Sequence, residues 1–110
     1  MLQREITVPL GTDHQLIDSL LEDICRREGL GLALKTVQRE YPGSLHWHWK
    51  RGKENGTLEV THWPPENRLW IYVHENRAAP WTDSMAARLA SQIEEKLHSE
   101  AVDTIFAELA

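Results

Sequence analysis

The feature that most restricts the fold of this chain is a change of hydrophobic period at Gly31. Before it, Leu16, Ile17, Leu20, Leu21 and Ile24 recur at the spacing of one helix face. After it, four runs alternate polar with apolar residues: 32–41, 44–51, 57–63 and 68–75. That period belongs to strands with one buried face. The runs are joined by "YPGS", "GKENG" and "PPEN", each rich in residues that tight turns need. Links this short between consecutive strands imply an antiparallel meander.

The flanks complete the element order. A short strand is expected at 4–10, limited by Pro9. Helix 13–28 follows, with Thr12 as N-cap, Gln15 at capping-box spacing, Cys25 bordering the apolar stripe and Gly29 as the stop. A second helix is expected at 83–98 behind Thr82, with Met85, Leu89, Ile93 and Leu97 on one face. A further helical segment, 99–110, carries Val102, Ile105, Phe106 and Leu109. The order β-α-β-β-β-β-α-α describes one α+β domain over residues 1–110. It is a two-layer sandwich, a four-stranded meander with helices on one face and a possible fifth strand at an edge.

Strand alternation assigns the faces. Leu58 and Val60, and Leu69, Ile71 and Val73, must meet the helices, and so must Trp47 and Trp49. The opposite face receives the rest. Loop lengths set three rows: His46–Thr61–Trp70, His48–Glu59–Tyr72 and Lys50–Thr57–His74, with Trp63 facing Arg68. Lys35 and Arg39 are expected to extend these rows on the first meander strand.

"YPGSLHWHWKRGKENGTLE" at 41–59, followed by "RLWIYVHENR" and "PW", resembles a pattern in a group of small bacterial proteins of about this length. The likeness spans residues 32 to 99. It implies a domain type and assigns no site.

Four uses of the outer face compete. Trp63, Trp70 and Tyr72 would make a large amphipathic patch, and such patches mark interfaces. The expected function is therefore a non-catalytic protein-interaction module, as a homodimer or with a protein partner. Alternatively the final segment or the first strand covers those rings. The runner-up is single-stranded nucleic acid, stacked on Trp70 and Tyr72 and held by Lys35, Arg39, Lys50, Arg51 and Lys53. Charge weakens it: the net charge is -5, and the mildly basic stretch 32–77 lies between two acidic flanks. A metal is the third use. His46 and His48 lie about 7 Å apart on one strand face, with Glu59 and His74 beside them. Plain polar cover is the simpler reading of these histidines, and no metal or cofactor is expected. In the fourth, His48 beside Glu59 and Tyr72 would serve as a general base, but no nucleophile arrangement accompanies it. A membrane span of roughly 20 apolar residues is absent from the sequence. A polar N-terminus and a lone Cys25 suggest a reducing cytoplasm.

Overall fold

The computed structural model describes residues 2–109, with side chains over 2–100. Five strands form one antiparallel sheet: β1 (Leu2–Ile6), β2 (Gly31–Thr36), β3 (Leu45–Lys50), β4 (Leu58–Trp63) and β5 (Arg68–Val73). Their spatial order is β1-β5-β4-β3-β2, so the N-terminal strand closes the sheet beside β5. Two helices, α1 (His14–Arg27) and α2 (Thr82–Leu109), accompany the sheet. Stretches 83–98 and 99–110 thus run together through Leu109. The side chains of Val102, Ile105, Phe106 and Leu109 lie outside the described residues. No helix among the described residues is long and apolar enough to cross a membrane.

The core follows from the alternation. Trp47, Trp49, Leu58, Val60, Leu69 and Ile71 are fully buried, together with Ile17 and Leu21 of α1 and Leu89, Ile93 and Leu97 of α2. Each indole or isobutyl group removed from water contributes roughly 1.5–3 kcal/mol. Leu16 falls outside the buried stripe of α1 and is 37% exposed.

The local signals operate with small shifts. Asp13 rather than Thr12 caps α1, its Oδ1 accepting from the Gln15 amide at 2.9 Å. Thr12 instead donates to the Pro9 carbonyl at 2.6 Å, within the turn that precedes the cap. Gly29 stops α1 at φ 83, with Gly29 N–H on Arg26 O and Leu30 N–H on Cys25 O. β1 begins earlier than expected, because its pairing runs from Leu2↔Val73 to Ile6↔Leu69 and ends with the length of β5. Gly56, at φ 103, brings the β3–β4 loop against the start of α2. A Cβ there would stand 2.7 Å from Ala79 Cβ.

β2 departs most from expectation. It ends at Thr36, and residues 37–44 leave the sheet. A bulge between Leu32 and Leu34 also shifts its register, since Leu32 faces Trp49 but Leu34 faces His48. One extra residue reverses the facing of everything beyond it. Lys35 therefore pairs with Trp47 on the helix side, not with the outer rows.

Candidate functional site

The central rows of the outer face stand as the turns dictate. β3 and β4 pair His46 with Thr61 and His48 with Glu59. β4 and β5 pair Glu59 with Tyr72, Thr61 with Trp70 and Trp63 with Arg68. Lys50 reaches Thr57 Oγ1 at 3.4 Å.

The expected open aromatic platform is absent. Residues 37–44 fold back over it, and β1 sets Gln3 and Glu5 beside Tyr72 and Trp70. The Tyr41 ring centre lies 5.0 Å from those of both Trp63 and Trp70, tilted against the first and edge-on to the second. Trp63 Nε1 donates to Pro42 O at 2.9 Å. The Arg68 guanidinium lies 4.4 Å from the Trp70 ring centre. Trp70 is buried at 5% exposure, while Trp63 and Tyr72 are half-buried. A base cannot stack on a ring already covered, so the nucleic-acid platform loses Trp70. It also loses Lys35, whose Nζ binds Glu22 at 2.6 Å on the helix side. Arg39 stands exposed in the loop beyond β2 and extends no row.

Beneath this cover sits a buried polar cluster. His46 Nδ1 lies 2.7 Å from Thr61 Oγ1, which donates to Gln38 Oε1 at 3.3 Å. His46 Nε2 lies 2.9 Å from Glu59 Oε1 and 3.0 Å from His48 Nε2. His48 Nε2 is 3.3 Å from the same Glu59 oxygen. His74 Nε2 and Arg77 Nη1 approach Glu59 Oε2 at 3.1 and 3.7 Å, yet this buried oxygen accepts no hydrogen bond. Both His46 and Glu59 are 5% exposed. Burial pushes the Glu59 carboxyl up. The His46 contact and the charges of His48, His74 and His46 outweigh it, so the carboxyl lies below its ordinary range. Burial also lowers the His48 imidazole, against the pull of Glu59. His46, His48 and Glu59 together could hold a metal ion. A cleft of about 390 Å³ opens beside them, walled by Gln38, Tyr41, Trp70, Tyr72 and His74.

Gln38, Tyr41 and Arg77 belong to this site and were not singled out from the sequence. Tyr41 sits in "YPGS", which reads as a turn. Nothing local says that the turn lies back on the sheet. Arg77 is delivered by a short 3-10 turn, Glu75–Arg77, after β5.

A second surface emerges at the β2 edge. All six of its residues are exposed. Among the described residues, five large hydrophobic side chains stand exposed, and Leu32, Leu34 and Val37 are three of them. The opposite edge, β1, instead carries the charged Arg4 and Glu5, with Glu5 paired to Arg68.

No family model, curated protein or solved structure matches the chain.

Proposed function

We propose that the domain is a non-catalytic interaction module that pairs with a second copy of itself along β2. The carrying observation is the contrast between the two edges. β1 carries the charged groups that discourage strand addition. β2 carries the exposed Leu32 and Leu34 instead, and the exposed Val37 follows directly after it. Its single charge, Lys35, is drawn back to Glu22. An antiparallel pairing of two identical strands is self-complementary under a two-fold axis, which closes the assembly at a dimer. It adds main-chain hydrogen bonds and buries Leu34 against its symmetry mate. The interaction role expected of the aromatic face thus moves to the edge, because Tyr41 covers Trp70. A cytoplasmic setting is part of this reading, since the lone Cys25 has no other cysteine in the chain to pair with.

Light-scattering mass of the wild type beside Leu34→Lys tests the proposal. The expected result is a wild-type dimer and a folded Leu34→Lys monomer. A wild type that stays monomeric at high protein concentration would refute it.

A further inference from the structure

We propose that His46, His48 and Glu59 form a binding site for a divalent transition-metal ion, zinc being the best fit. The argument begins with three atoms. His46 Nε2, His48 Nε2 and Glu59 Oε1 form a triangle with sides of 3.0, 2.9 and 3.3 Å. A tetrahedral ion with ligand bonds of about 2.0–2.1 Å sets its ligand atoms roughly 3.4 Å apart. The triangle is therefore close to the size that one ion would impose.

Hydrogens alone serve this triangle badly. Two of its sides are hydrogen-bonded contacts that share His46 Nε2, and each of them requires a hydrogen. Two neutral imidazoles bring at most one each at Nε2. If both point at Glu59, two N–H donors face each other at 3.0 Å. If His48 donates to His46, the 2.9 Å contact between His46 and Glu59 has no hydrogen. One cation held by all three lone pairs removes the conflict.

The surroundings favour that arrangement. Thr61 donates its hydroxyl hydrogen to Gln38 Oε1, so it accepts from His46 at Nδ1. This places the proton of neutral His46 on Nδ1 and leaves Nε2 as a ligand, the usual outer support of a metal-binding histidine. His74 and Arg77 flank the other carboxylate oxygen, away from the triangle. Two imidazoles and one carboxylate are a borderline donor set suited to zinc, and also to cobalt. His46 and Glu59 also line the open cleft, from which water would supply a fourth ligand.

The test is titration of tag-free protein with Zn²⁺ by calorimetry and with Co²⁺ by visible absorption. One ion per chain with an intense tetrahedral cobalt spectrum is expected. His48→Ala, at a partly exposed position, should weaken binding at least tenfold and keep its circular dichroism. Thr61→Val should weaken it tenfold to a hundredfold, the range seen when an outer partner is removed. Exposed His98→Ala should change nothing. The proposal falls if no stoichiometric ion binds. It falls equally if folded His48→Ala binds as tightly as wild type, or if His98→Ala abolishes binding.

Discussion

Two glutamates lie beneath the two faces of this sheet, and their partners differ in kind. Glu22 on α1 receives Trp47 Nε1 at 2.9 Å, Lys35 Nζ at 2.6 Å and Arg26 Nη1 at 3.4 Å. Each is a permanent donor at neutral pH, and two carry a fixed charge. Glu59 on β4 meets three imidazoles and a more distant Arg77. Imidazoles donate or accept according to where their proton sits. Both carboxyls lie below their ordinary range. Around Glu22 every donor has one role, so the group is a closed structural tie between helix and sheet. Around Glu59 the roles are undecided without a cation, so that group is fit for a ligand. The difference teaches that burial and charge alone do not mark a site; the chemistry of the partners does.

Four experiments would break or sharpen this contrast. The largest effect is expected on the Glu22 side. Trp47→Ala removes a fully buried indole and the donor to Glu22, and should cost about 3–5 kcal/mol in urea unfolding. Trp47→Phe keeps most of the packing and should cost about 1–3 kcal/mol, isolating the lost hydrogen bond.

Next comes zinc-dependent stability. At a hundredfold excess over the dissociation constant, zinc should stabilise the wild type by about 2.7 kcal/mol. Glu22→Gln should gain equally, whereas Glu59→Gln should gain nothing. Equal gains in all three, read by thermal shift, would erase the contrast.

Acid gives a smaller signal. Burial raises the Glu22 carboxyl, but bonds from Lys35 and Trp47 and the charges of Lys35 and Arg26 lower it below 4.5. A carboxyl depressed by folding contributes stability that is complete above its unfolded value and lost as pH falls through the folded one. Glu22→Gln should therefore start less stable at neutral pH and lose less on acidification below 4.5. A parallel decline with wild type would remove Glu22 as a source of the pH dependence.

The smallest effect belongs to Arg26→Ala. Its pair with Glu22 is exposed on the arginine side and one helical turn long. Unfolding should change by no more than about 0.5 kcal/mol.

Much of this architecture is written locally. The period change at Gly31 separates helix from sheet, and three turn-rich links fix the antiparallel order. Because side chains alternate strictly along a strand, placing Leu58 and Val60 inside also places Trp47 inside and His46, His48 and Glu59 together outside. The rows of β3, β4 and β5 follow from loop lengths alone. Three outcomes needed the tertiary structure. The bulge in β2 turned Lys35 to Glu22, because one additional residue reverses a strand's facing and leaves no periodic trace in so short a run. The 37–44 loop returned over Trp70, because loop direction is set by long-range contacts of Tyr41, Pro42 and Gln38 rather than by turn residues. The orientation of the imidazoles was decided last. Sequence places two histidines and a glutamate on one face; the hydrogen bonds of Thr61 and Gln38 determine which nitrogen is turned toward the carboxylate.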